Sequence, residues 1–133
     1  MAALLAPLAV IWIHDGLIRP PGPKMVACLC PEAGLFARIN TAGWRRGSVP
    51  LARRLHPFLL HDSHLECGAI FELDDYVVQQ ALDPPSRGVL GMVAAGAVGD
   101  ILAAVHAAPA LRTDDKAAIL AALTGIAPSR GGR

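Results

Sequence analysis

The densest reactive chemistry in this chain is the string His61-Asp62-Ser63-His64-Leu65-Glu66-Cys67, with His56 shortly before it. Three kinds of chemistry compete for it. As a metal site, His61, His64, Glu66 and Cys67 are ligand types that hold zinc or iron. On a strand, however, His64 and Glu66 share one face while Cys67 takes the other, and the spacing matches no established ligand motif. As a proton-transfer site, His61 with Asp62, or His14 with Asp15, supplies a general acid/base pair. Ser63 lacks the G-x-S-x-G elbow of a hydrolase nucleophile. The plainest reading is a turn, with Asp62 and Ser63 capping local backbone donors and the histidines half-exposed.

A second candidate is electrostatic. The net charge is only +1, which excludes a global field that would steer a polyanion. Locally the charges separate. From Arg19 to Arg54 the chain carries seven cations (Arg19, Lys24, Arg38, Arg45, Arg46, Arg53, Arg54) and one acid, Glu32. From Leu55 to Asp83 there are six acids and no Lys or Arg. Asymmetry of this kind can mark a polyanion-facing loop. Arg45-Arg46 and Arg53-Arg54 flank a loop, with Trp44 directly before the first pair, which suits phosphate contacts combined with base stacking. The competing reading is that these arginines are solvated, or pair with the acidic segment across the fold or a dimer interface.

The elements that must position these groups divide the chain in two. Leu8 to Ile13 reads as a buried strand, and His14 to Lys24, with three prolines and two glycines, as a loop. Met25 to Cys30 and Leu35 to Asn40, joined by Pro31 to Gly34, read as a hairpin. Thr41 to His56 is a basic excursion with little periodicity. Pro57 to Leu60 reads as a short strand, and His64 to Leu73 as another with a bend at Gly68. From Asp74 the period becomes helical, with Asp74 as cap. Further helices are expected over Val93 to Ala107 and from Thr113, as cap, to Thr124. The expectation is one α+β domain over residues 1–133: a small SH3-like antiparallel barrel (1–73), a helical portion (74–126) and a frayed tail (127–133).

Apolar residues make up 53% and aromatics 5% of 133 residues, so the core is built from small aliphatics and the chain is not disordered. Three cysteines, Cys28, Cys30 and Cys67, cannot all pair and point to reduced thiols in a cytoplasmic protein. Cys28 and Cys30, two apart on a strand, are expected on one face. Met1 to Ile13 lacks a basic leader region and is too short for a membrane helix, so no membrane segment is expected.

The order of elements resembles the MazF/PemK family of toxin-antitoxin ribonucleases. The similarity is one of pattern over about Leu8 to Val105: a strand, a basic loop, the strand Met25 to Cys30, the strand ending Ile39-Asn40-Thr41, a second basic loop, a strand opening at Ser63, a short helix, a break at Gly88 and an amphipathic helix. The resemblance implies an SH3-like barrel, a homodimer, and cleavage of single-stranded RNA without metal or other cofactor. The attacking group would be the ribose 2′-OH, with an antitoxin protein as a further partner. Thr41 matches the family's Thr position. Where the family has an Arg-Pro pair before the second strand, the chain reads Pro21-Gly22-Pro23-Lys24. Lys24, or Arg19 from the same loop, would then supply the positive charge. The expected catalytic residues are thus Lys24, Thr41 and Arg19, with Arg45, Arg46, Trp44, Arg53 and Arg54 on the RNA. The alternative is a non-catalytic protein-binding module of phage or mobile-element origin, and the weaker one a metal-dependent hydrolase using His61, His64 and Glu66.

Overall fold

The computed structural model describes residues 5–16, 21–43 and 46–126. Arg19, Trp44, Arg45 and the tail 127–133 lie outside the described residues.

Seven strands are arranged in one curled antiparallel sheet. They are β1 (Ala9–Asp15), β2 (Gly22–Cys30), β3 (Leu35–Asn40), β4 (Ser48–Leu51), β5 (Ser63–Glu66), β6 (Phe71–Glu72) and β7 (Gly91–Met92). Six follow one another in the order β4-β5-β3-β2-β1-β7, and β6 pairs with β3 beside β5. Three α-helices are found among the described residues: α1 (Asp75–Leu82), α2 (Val98–Ala107) and α3 (Thr113–Thr124). The fold is therefore α+β, a half-barrel followed mainly by helices.

Each face of the sheet carries an apolar cluster packed against helices, which is why the strands read as near-continuous hydrophobic runs. The concave face carries Val10, Ala27, Leu29, Ala37, Leu51 and Leu65, packed against Val98, Ile101 and Val105 of α2 and Ile119 and Leu123 of α3. Each of these large aliphatics, fully buried, contributes about 1.5–3 kcal/mol. The opposite face carries Ile11, Ile13, Val26, Cys28 and Phe36 under Val78 and Ala81 of α1. Asp74 caps α1 as expected, accepting the Val77 N–H at 3.0 Å.

Several expectations are corrected. Pro57 to Leu60 is a turn, not a strand, because the Leu59 N–H is spent on the His56 carbonyl at 2.9 Å. Ser48 to Leu51, with its internal proline, is a strand that local pattern did not reveal; it exists through its ladder with β5. The helix expected from Val93 begins only at Val98, since the Val93 N–H donates to Leu8 O at 2.9 Å and Gly91–Met92 pairs with β1. The α3 cap is Arg112, with no side-chain bond, and Thr113 is already helical. Cys28 and Cys30 do not share a face. The β2–β3 register shifts between them, so Cys28 packs in the α1-side core and Cys30 in the other. All three cysteines are free and buried, and burial pushes the Cys28 and Cys67 thiols up to about 12. Among the described residues, no helix is long and apolar enough to cross a membrane.

Candidate functional site

The strand ends at one side of the half-barrel enclose a cavity of about 340 Å³. Trp12, Met25 and Ile39 supply its apolar wall, and Thr41, His61 and Ser63 bring polar groups to it; Lys24 and Asn40 border it from strand positions that face the other side of the sheet. Leu60 lines the same cavity although it is 88% exposed. A larger cleft of about 640 Å³, between the Pro31–Ala33 turn and α3, is lined by Leu5, Cys30, Ala118 and Ala121. Glu32 is its one carboxylate and no Lys, Arg or His lines it, so size alone does not select the reactive site.

Each polar group reaches the smaller cavity for a local reason. Thr41 follows the last residue of β3, where pairing with β5 stops at Asn40. Its exposed hydroxyl is thereby left at the rim. The chain then turns under Gly43, whose added Cβ would stand 3.1 Å from the His64 ring and from Ser48. His61 sits in the turn before β5, its Nδ1 at 3.0 Å from Asp62 O and 3.4 Å from Ser63 Oγ. Ser63 Oγ donates to His61 O at 3.0 Å, which shapes that turn. Asp62 is not a local cap: it accepts the Arg53 N–H at 2.8 Å and so ties the turn to the segment before it.

A polar strip runs across the outer face of the sheet from the same strand ends. Cross-strand partners share a face, and the register places Lys24 opposite Ile13, Asp15 opposite Gly22 and Arg38 opposite Val26. His64 stands opposite Asn40 and Pro50, and Glu66 opposite Ser48. Arg38 Nε donates to Asp15 Oδ2, and its guanidinium lies 4.3 Å from the Phe71 ring centroid. The Lys24 amine is held below the ordinary lysine value, chiefly by burial and then by Arg38, while Asp15 and Glu66 pull the other way. Ser48 Oγ donates to Glu66 Oε1 at 2.6 Å.

Of the residues expected from sequence, Lys24 and Thr41 both border the cavity, with His61, and the register turns the Lys24 side chain to the outer face. Arg46, Arg53 and Arg54 are exposed and do not line it. Arg46 borders a separate cleft with Gly68, Ala104 and Pro109. Arg53 holds its own loop, its Nε donating to Leu59 O at 3.1 Å. The metal set of His61, His64 and Glu66 is not assembled: no group of three or more His, Cys, Asp or Glu among the described residues is placed to hold an ion. His61 faces the cavity, whereas strand alternation sends His64 and Glu66 to the outer face. The contributions of Trp12, Asp15, Arg38 and Asn40 were missed. Alternation alone would have grouped Arg38 with Asn40, but their relation to Lys24 needed the β2–β3 register.

Comparison with protein-family models and with curated proteins finds no match to this chain.

Proposed function

We propose that this chain binds single-stranded RNA and cleaves it through its own side chains, in the manner of the MazF/PemK ribonucleases that its order of elements resembles. The observation that carries the reading is that Thr41 and His61 line one cavity that Lys24 also borders, from three different segments of the chain. Two of these are the residues that the resemblance selects.

In this reading the ribose 2′-OH attacks the neighbouring phosphate. Lys24 offsets the charge that grows on the phosphoryl oxygens, as a point charge without the planar fork of an arginine. The Thr41 hydroxyl orients the ribose. The exposed His61 ring donates a proton to the departing 5′-oxygen, a role that needs an imidazole within reach of the scissile bond. Arg46, Arg53 and Arg54 remain solvent-facing cations that follow the phosphate backbone outside the cavity. A homodimer and an antitoxin partner belong to the same proposal and rest on the resemblance.

The test is incubation of the purified protein with mixed-sequence RNA, with and without EDTA, followed by end-group analysis. Cuts insensitive to EDTA that leave 2′,3′-cyclic phosphate and 5′-OH ends are expected, with Thr41→Ala and His61→Ala each slower by about 10²-fold. RNA left intact in every condition overturns the cleavage reading.

A protein-binding module is the second reading, favoured by large apolar side chains held in solvent: Leu60 is 88% and Tyr76 70% exposed. It predicts partner binding that survives Lys24→Ala and Thr41→Ala.

A further inference from the structure

The β1 wall of the cavity carries three groups that donate hydrogen bonds and no carboxylate to receive them. Trp12 and its cross-strand partner Met25 both line the cavity. The Trp12 indole Nε1–H is buried and has no hydrogen-bond partner among the described residues, which costs about 1–3 kcal/mol. The Arg87 guanidinium, from the segment between α1 and β7, lies 5.8 Å from the Trp12 ring centroid. Arg87 is exposed and makes no ion pair or hydrogen bond among the described residues.

His14 is the third group. Ile11 and Ile13 belong to the α1-side core, so alternation puts His14 on the Trp12 side of β1. Its cross-strand partner is Pro23, which also lines the cavity, and such partners stand about 5 Å apart on one face. The imidazole is exposed and has no partner among the described residues. The carboxylates nearest along the chain are engaged elsewhere. Asp15 turns to the outer face and accepts from Arg38, and Asp83 accepts from Gln79 Nε2 at 2.8 Å. An indole N–H, a guanidinium and an imidazole thus await a group that only accepts, and the planar fork of an arginine matches two oxygens of one phosphate.

We propose that Trp12, Arg87 and His14 form a phosphate subsite on the β1 wall, which holds a backbone phosphate of single-stranded RNA next to the one at Thr41 and His61. The inference rests on the function proposed above and adds the path of the strand across the cavity. The turn that carries His61 leads into β5, and β1 lies three strand spacings from β5, about 14 Å along the sheet. A neighbouring phosphate of the same strand therefore falls to the β1 wall. Arg87 takes two of its oxygens, the Trp12 Nε1–H donates to one, and His14 adds charge when protonated. No covalent bond changes at this wall; the subsite positions the strand. Its arginine stands against the cavity wall itself, whereas Lys24 borders the cavity from the outer face.

The test is nitrogen-15 NMR of the full chain, in which Trp12 and Trp44 give the two indole N–H signals and Trp12→Phe identifies the first. Inorganic phosphate and a 2′-O-methyl oligoribonucleotide, which cannot be cut through its 2′-oxygen, are titrated separately. Each is expected to move the Trp12 signal to saturation, the oligonucleotide at far lower concentration. Arg87→Gln, at an exposed position, is expected to raise the oligonucleotide Kd by about 10-fold and to flatten the slope of log Kd against log salt by about 0.7. Arg87→Lys is expected to restore the slope and only part of the affinity. An oligonucleotide that binds while the Trp12 signal stays still overturns the subsite, as does wild-type affinity and slope in Arg87→Gln. A response to inorganic phosphate alone marks a free-phosphate site and overturns the RNA assignment. RNA that binds with the Trp12 shift but is never cut removes the cleavage reading and leaves the subsite standing, whereas RNA that does not bind removes both.

Discussion

Arg38 on β3 reaches over β2 to Asp15 on β1, its Nε donating to Asp15 Oδ2 at 2.5 Å. The two residues belong to strands that do not pair with each other, so the bond spans three strands at the edge of the α1-side core. Asp15 is 4% and Arg38 17% exposed, and the guanidinium also lies over Phe71. Removing either side chain takes a charge-assisted bond from a group held largely out of water.

Asp15→Asn and Arg38→Met are therefore each expected to cost about 2–4 kcal/mol in urea unfolding. The double variant is expected to cost clearly less than the sum, with a coupling of about 1 kcal/mol or more. Strictly additive losses would show that the two side chains do not depend on each other.

His56 has a different task from the other histidines of its segment. It is 2% exposed, and its Nε2 accepts the Ala94 N–H at 3.0 Å while Nδ1 donates to Ala52 O at 2.8 Å. It also packs edge-on against Phe58. One ring thus satisfies two backbone groups from segments 42 residues apart in sequence. His56→Phe keeps the volume and the ring packing but leaves both groups bare. The expected loss is about 2–4 kcal/mol by chemical denaturation, with RNA cleavage per folded molecule unchanged. A loss under about 0.5 kcal/mol would place the anchoring elsewhere.

Lys24 ties stability to pH. Burial and Arg38 hold its folded-state value below 10.5, so between the two values the unfolded chain binds more protons than the folded one. Stability from this group then rises with pH across that window. Below the window the charged amine opposes folding in full, and above 10.5 the penalty is gone. The stability of Lys24→Met relative to wild type is accordingly expected to fall as pH is raised through the alkaline range, in urea midpoints taken at matched ionic strength. A difference that stays flat, or grows with pH, contradicts the burial of the amine. The same variant is expected to weaken RNA binding and to flatten its salt dependence by about one phosphate contact.

Much of the architecture is set by the chain locally. The turn Pro31 to Gly34 between two apolar runs dictates the β2–β3 hairpin, and Gly34 takes a φ of +66° that an L side chain resists. Asp74 followed by helical spacing dictates α1. Thr41 at the end of β3 is likewise placed by local pattern, whereas Lys24, read as the end of a loop, belongs to β2 through its pairing with Ile13. The elements that escaped it are those whose reasons are non-local. Ser48 to Leu51, interrupted by Pro50, becomes a strand only because β5 offers it a ladder. Gly91–Met92 leaves its helical surroundings because β1 has a free edge. The register slip between Cys28 and Cys30 sends two cysteines to opposite cores, which period-two counting cannot foresee. The site divides in the same way. Sequence named His61, His64 and Glu66 together because they are close along the chain. The start of β5 puts His61 at the cavity and the other two on the outer face, beside Lys24 and Arg38. Spacing in sequence fixes which residues are near one another; the side of the sheet each faces is decided by pairing between strands.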